Sequence, residues 1–346
     1  MDDAIYILGA GSIGNFLACE LANLSCYEHN VVLLLRNKDR LDQFRRNGSY
    51  LILERTLDDK KVVIRRKFKA TCLSELNVDT IDNLIVTTKT TQTEAALRDY
   101  LPLLKRDSNI LFVHNGFGVI ETLVKTVWRN ANVRPNLYQG VTSHSVLPKQ
   151  DFYYCHSCFG VMKIAKVSRM DGDLSVDVPT EPCAMVEALL QSKMLNGTYL
   201  TYDDLLIYQC QKFMVNACMN STTTIIDCIN YELSNIAEVR TLFQSIITEC
   251  VDVLFKTNQF LADNGKAREV LNVPKLVDLI LYLGFVENAK NSTSMRIDTL
   301  AKRETEIDSL NGWIVKLAKE IGYRATVNET VTLLVKARTK VNQRRA

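Results

Sequence analysis

The first fourteen residues constrain the fold more than any other part of the chain. Ala4-Ile5-Tyr6-Ile7-Leu8 runs directly into Gly9-Ala10-Gly11-Ser12-Ile13-Gly14. Five mostly apolar residues read as a buried parallel strand, and Asn15-Phe16-Leu17-Ala18-Cys19-Glu20-Leu21 behind the glycines reads as a helix. In a G-x-G-x-x-G placed between strand and helix, Gly9 makes the tight turn and Gly11 lets the backbone approach a pyrophosphate. Gly14 lets helix and strand pack closely. The helix N-terminus, over Ser12 and Ile13, adds positive potential for the phosphates. The same pattern also fits a purely structural turn.

The second strand bears on which dinucleotide would fit. Asn30-Val31-Val32-Leu33-Leu34-Leu35 is nearly all apolar and ends in Arg36-Asn37-Lys38-Asp39-Arg40. An NAD site usually places Asp or Glu at this strand's end, whereas a 2'-phosphate is met by Arg. Here Arg36 comes first, Lys38 and Arg40 follow, and Asp39 is the only acid among them. NADP(H) is the expected cofactor; a solvated basic loop is the other reading.

The chain's 346 residues suffice for two domains. With 47% hydrophobic and 23% charged residues it has the make-up of an ordinary soluble globular protein, and a net charge of +3 argues for no nucleic acid. The longest apolar stretch, Leu276 to Phe285, contains Asp278 and is too short for a membrane span. No signal peptide precedes the first strand, so a cytoplasmic location is expected. Ten scattered cysteines suit a reducing compartment. In Cys155-His156-Ser157-Cys158 the flanks read as strand, which sends the two thiols to opposite faces, so no metal is implied. The basic C-terminal cluster of Lys336, Arg338, Lys340, Arg344 and Arg345 reads as a solvated or frayed end.

Short apolar runs alternate with helical patterns in the first half, the mark of an open parallel sheet. Further strands are expected at Asn83–Thr88 and Asn109–Val113, with edge excursions or hairpins at 50–75 and 165–185. From about residue 203 glycine becomes sparse and apolar residues recur every three or four positions. The fold expected is an α/β Rossmann-like N-terminal domain, 1–203, followed by an all-α C-terminal domain, 204–346, with the boundary near Asn196–Asp204.

Ligands of a doubly wound sheet bind at the carboxyl ends of its strands. Two of those ends deliver Lys89 and His114-Asn115-Gly116-Phe117-Gly118, and Tyr138–His144 supplies a candidate polar loop on the same edge. Each is either a ligand contact or a turn residue. In the helical half, Gln211–Asn220 is apolar on nearly every side, yet Lys212, Asn216 and Asn220 stack at i, i+4 and i+8. Such a stripe requires something polar opposite, a protein element or a bound substrate. A helix capped by Thr293 or Ser294 is expected to run through Ile307, Leu310, Ile314, Leu317 and Ile321. It would carry Glu306 toward Lys212, as a catalytic pair or as a structural buried ion pair.

These pieces together resemble the ketopantoate reductases (2-dehydropantoate 2-reductases), particularly their fungal members, over nearly the whole chain. The matching blocks are Gly9–Gly14, Arg36, Thr87-Thr88-Lys89, Asn115–Gly118 and Gly140–His144, then Lys212–Asn220, Asn291–Asp298 and Glu304–Asp308. The last three are fairly specific to that family. The resemblance implies NADPH-dependent reduction of 2-dehydropantoate to (R)-pantoate, on the route to pantothenate and coenzyme A. It implies that Gly9, Gly11, Ser12, Ile13 and Gly14 cradle the pyrophosphate and Arg36 holds the 2'-phosphate. Lys89 and Asn115 would reach the cofactor near the reaction site. Lys212 would be the general acid, with Glu306 orienting it and touching the cofactor ribose. Asn216, Asn220 and Ser294 would bind the substrate, Ser294 its carboxylate, with help from Asn115. Two positions depart from the family pattern: Ser221 stands where proline is usual and Ile297 where glutamine is common. Both lie near the implied substrate wall, so another small 2-oxo acid is the second reading and a non-catalytic NADPH-binding regulator the third. The sequence leaves a homodimer open, since no exposed stripe stands out from the core stripes.

Overall fold

Nine successive buried residues, Gly14 to Ala22, make the first helix an interior element, covered on both sides. The computed structural model describes residues 4–24, 30–167 and 181–345. The chain divides into two compact units, Met1–His114 with Val119–Leu205, and Asn115–Gly118 with Leu206–Ala346.

The first unit contains β1 (Ile5–Leu8), α1 (Ser12–Ala22), β2 (Val31–Leu34), α2 (Lys38–Arg46), β3 (Tyr50–Leu57), β4 (Lys60–Lys67), β5 (Lys69–Thr71) and β6 (Asn83–Val86). It continues with α3 (Thr90–Arg98), β7 (Asn109–Val113), α4 (Val119–Thr126), β8 (Asn136–Thr142), β9 (Ser145–Gln150), β10 (Tyr153–Cys158), β11 (Met162–Lys166), α5 (Ala184–Gln191) and β12 (Gly197–Tyr199). The main sheet has the order β12-β11-β8-β7-β6-β1-β2-β5. It is parallel from β5 to β8, and β11 turns antiparallel. β1 therefore has β2 on one side and β6 on the other, the strand-order reversal at which doubly wound sheets bind ligands.

The 50–75 segment forms the expected hairpin, β3–β4, but pairs further than the sequence suggested. β3 lies parallel to β10, giving a second sheet of order β4-β3-β10-β9. Leu51, Leu53 and Tyr154 of this sheet, with Phe152 from the turn before β10, share one core with Phe16, Leu17 and Leu21 of α1 and with Ile7 and Leu33 of the main sheet. Two buried polar members of α1 make specific contacts. Glu20 pairs with buried Arg55 and accepts from Ser192 Oγ at 3.1 Å. Asn15 Nδ2 donates to Ala10 O at 2.8 Å, which ties the helix to the glycine turn. Tyr138–Thr142 is strand β8 rather than a loop, because Gly140 packs close to Val113 and Leu111; only Ser143 and His144 follow it at the sheet's carboxyl edge. The 165–185 excursion falls mainly at 168–180, outside the described residues.

The second unit is helical: α6 (Tyr202–Ile226, begun in the first unit), α7 (Ala237–Thr257), α8 (Gln259–Asp263), α9 (Gly265–Val270), α10 (Val273–Tyr282), α11 (Ser294–Leu300), α12 (Asn311–Glu320) and α13 (Thr326–Arg344). Phe213, Met214 and Ala217 of α6 pack with Phe243, Ile246 and Ile247 of α7, Ile314 of α12 and Val335 of α13. Asn258, Asn264 and Asn272 cap three successive helices through side chains that accept backbone N–H, so the chain turns sharply without losing polar contacts. The helix expected from Thr293 to Ile321 is broken. Thr293 caps it as foreseen, but Lys302 adopts φ 58° after Leu300. Arg303 N donates to Asp298 O and Lys302 N to Thr299 O, a Schellman closure built without glycine. The C-terminal cluster is no frayed end: Lys336 and Arg338 lie on α13, paired with Asp308 and Asp227.

The nine described cysteines are all free. Burial raises the thiols of Cys19 and Cys210 to about 12. Among the described residues no helix is long and apolar enough to cross a membrane.

Candidate functional site

In the first unit the site is built on the carboxyl ends of β1, β2 and β6. Gly9 has φ +105°, and a Cβ there would lie 2.6 Å from Thr88 N. A Cβ on Gly14 would lie 2.3 Å from Gly9 O, where helix and turn pack closest. Gly11 differs: a Cβ would meet nothing within 4 Å. Open space at that one glycine, beside the N-terminal amides of α1 at Ser12 and Ile13, is what a pyrophosphate cradle requires. Thr87 Oγ1 donates to Gly9 O at 2.6 Å, which locks β6 to the turn. Lys89 is half-buried at the N-cap of α3. Behind it Thr93 Oγ1 contacts His114 Nε2 at 3.0 Å, and burial lowers the His114 pKa to about 4.

The basic loop after β2 separates into distinct parts. Lys38 pairs with Asp42 and Glu75, and Arg40 with Asp151 at 2.8 Å. Arg36 is exposed and has no ion-pair partner among the described residues. Of the three cations it is the one open to a 2'-phosphate. The residues present fit NADP(H).

In the second unit Lys212, Asn216 and Asn220 lie along α6, with Asn220 buried and the other two half-buried. Lys212 Nζ donates to Asn115 Oδ1 at 2.9 Å. Burial lowers its pKa from 10.5 to about 8, while the Glu306 carboxylate pulls it upward. Glu306 lies not on a helix but on the connector between α11 and α12, just ahead of the short turn Ile307–Ser309. That turn is fixed by a close approach: Gly116, at φ +80°, leaves a would-be Cβ 2.2 Å from Ser309 O. Gln209 Nε2 donates to Gly116 O at 2.9 Å. Gly116 and Gln209 hold the group together and were not singled out as site residues. Gln209 precedes Lys212 by three residues and extends its stripe, which is the signal that could have found it. Ser294 is exposed at the first turn of α11. Ser221 is fully buried and donates to Ala217 O, so α6 continues through it to Ile226.

A parallel sheet with a phosphate-type turn at its order reversal, together with a helical unit carrying a lysine whose pKa is lowered by desolvation and which feels a nearby carboxylate, defines a nicotinamide-dependent oxidoreductase. The comparisons give the family. Residues 5–169 match the model described as ketopantoate reductase PanE/ApbA, and residues 204–339 match its C-terminal counterpart. The chain belongs to the ketopantoate reductase family. It is 44% identical to the probable 2-dehydropantoate 2-reductase of Schizosaccharomyces pombe, covering 100% of this chain and 99% of that one. It is 33% identical to the 2-dehydropantoate 2-reductase of Saccharomyces cerevisiae, over 99% and 96% of the two chains. Among solved structures, a D-mandelate dehydrogenase with NADH and anilino(oxo)acetate shares the fold. Its TM-score is 0.77 at 23% identity, over 98% of this chain and 99% of that one.

Proposed function

We propose that this chain catalyses the NADPH-dependent reduction of 2-dehydropantoate to (R)-pantoate, on the route to pantothenate and coenzyme A. The observation that carries the reading is Lys212, an ammonium lowered to about 8 by burial, bonded to Asn115 and acted on by Glu306. NADPH supplies the hydride when bound. As negative charge develops on the ketone oxygen, the Lys212 ammonium stabilises it and delivers its proton. A pKa near 8 lets the group give up a proton readily while remaining mostly charged at neutral pH. Glu306 favours the charged form until transfer and would touch the cofactor ribose. Asn216 and Asn220 would hold the substrate's polar groups and Ser294, helped by Asn115, its carboxylate. Gly9, Gly11, Ser12, Ile13 and Gly14 would cradle the pyrophosphate, with Arg36 on the 2'-phosphate and Lys89 beside the cofactor. On this reading residues 1–203 are the cofactor domain and 204–346 the substrate domain. The proposed setting is the cytoplasm, with a small 2-oxo acid as partner and, in a homodimer, a second copy of the chain.

Nicotinamide absorbance followed with purified protein, NADPH and 2-dehydropantoate tests this. Saturable turnover is expected, and Lys212→Ala should lower it about a hundred- to ten-thousandfold with NADPH affinity kept. Tight NADPH binding without turnover would overturn the substrate assignment and turn the search to other 2-oxo acids.

A further inference from the structure

The polar stripe of α6 does not end at Asn220. Thr223 follows three residues further on the same face, and Asp227 stands immediately beyond the helix end. Thr223 Oγ1 donates to Met219 O at 2.7 Å, so its 2.7 Å contact with Thr293 Oγ1 is one in which Thr293 donates. Thr293 in turn caps α11, accepting from Arg296 N. Asp227 closes α6 in the left-handed region, at φ 65°. One of its carboxylate oxygens accepts from Arg296 Nε at 2.9 Å and the other from Arg338 of α13. Arg296 also donates to Ser292 Oγ at 3.0 Å. Residues 288–296, from Asn288 to Arg296, thus form a strap, and the chain just beyond Asp227 grips its other end. Asn230 N donates to Asn291 O, Tyr231 N to Ala289 O, and Asn230 Nδ2 to Asn288 O. Ser294 is the exposed residue between Thr293 and Arg296.

We propose that Thr223 and Asp227 are positioning residues for the substrate, holding the strap so that Ser294 stands at a fixed place relative to Asn220 and Lys212. This rests on the reductase reading above. One helix face then sets both ends of the substrate, with the proton donor near its middle and the anchor of the carboxylate-binding segment at its end. The Asp227 side chain is 32% exposed, and ion pairs so open to water contribute little to stability. What this network supplies is geometry.

Asp227→Asn and Arg296→Leu should each raise the KM for 2-dehydropantoate about tenfold, with kcat within about twofold and NADPH affinity unchanged. The double variant should be no worse than either single one, because both remove the same link. Arg338→Met, which breaks only the contact to α13, should leave KM within about twofold. Amide hydrogen exchange of residues 292–297 in the ligand-free protein should be about tenfold faster in Asp227→Asn, with α6 unchanged. Wild-type KM and wild-type exchange in Asp227→Asn would overturn the proposal. So would equal rises in KM from Arg338→Met and Asp227→Asn. If the wild-type protein does not turn over 2-dehydropantoate, the reductase reading fails, and the exchange experiment still decides the strap.

Discussion

Adding one methyl group at Gly11 should separate cofactor binding from folding. Gly11 sits at φ −90°, ψ −161°, an extended conformation open to alanine, and its Cβ would meet nothing within 4 Å. Limiting the unfolded chain gains about 0.4–1 kcal/mol. The poorer N-cap propensity of alanine offsets part of that. The melting temperature of Gly11→Ala without ligand should therefore stay within about 3 °C of wild type. The methyl group would occupy the space an approaching pyrophosphate needs. Losing one charge-assisted hydrogen bond of about 1.5–3 kcal/mol raises the NADPH Kd about ten- to a hundredfold. Gly14→Ala is the contrast, since its Cβ would lie 2.3 Å from Gly9 O and 2.6 Å from Thr87 Oγ1. Overpacking of that kind costs about 1–3 kcal/mol, so this variant should melt lower as well as bind worse. Calorimetric melting and isothermal titration with NADPH read the two effects separately. Wild-type NADPH affinity in Gly11→Ala would refute the cradle.

Arg36→Leu should weaken NADPH about ten- to a hundredfold and leave NADH within about twofold, as measured by paired titrations; equal losses would remove the 2'-phosphate assignment. Glu306→Gln removes the charge that pulls the Lys212 pKa upward, so the basic limb of the kcat/KM profile should move to lower pH. An unmoved limb would uncouple Glu306 from Lys212. His114 and His156 are both held near 4 by burial, against an ordinary 6.5. Above 6.5 they are neutral folded or unfolded, and between 6.5 and 4 only the unfolded chain takes up their protons. Stability should fall by about 1.4 kcal/mol per pH unit for each as the solution is acidified through that window. Denaturant titrations at several pH values check this, and His156→Gln should halve the slope; an unchanged slope would count against it.

What could be read from the sequence was what is local in the chain. The strand, turn and helix at Gly9–Gly14 occupy one contiguous stretch, and the Lys212, Asn216 and Asn220 stripe is a plain helical period. What escaped depends on partners far apart in sequence. β3 and β10 pair across about a hundred residues, and neither carries a signal for the other. Gly116 is held by Ser309, and nothing in either neighbourhood announces the contact. The helix carrying Glu306 was drawn too long because its stop uses Lys302 in the left-handed region, where glycine is the usual marker. The sequence suggests Glu306 as a partner for Lys212 but gives no sign that it sits on a connector rather than a helix.

The buried thiols give each unit its own timer. Cys19 and Cys72 are enclosed in the first unit; Cys210, Cys218, Cys228 and Cys250 are enclosed in the second. In the native protein a thiolate-seeking reagent should reach the half-buried Cys155, Cys158 and Cys183 first, and the enclosed thiols only when their own unit opens. Peptide-resolved labelling would then report the opening rate of each half without a mutation or an attached dye, and NADPH should slow the clock of whichever half it binds.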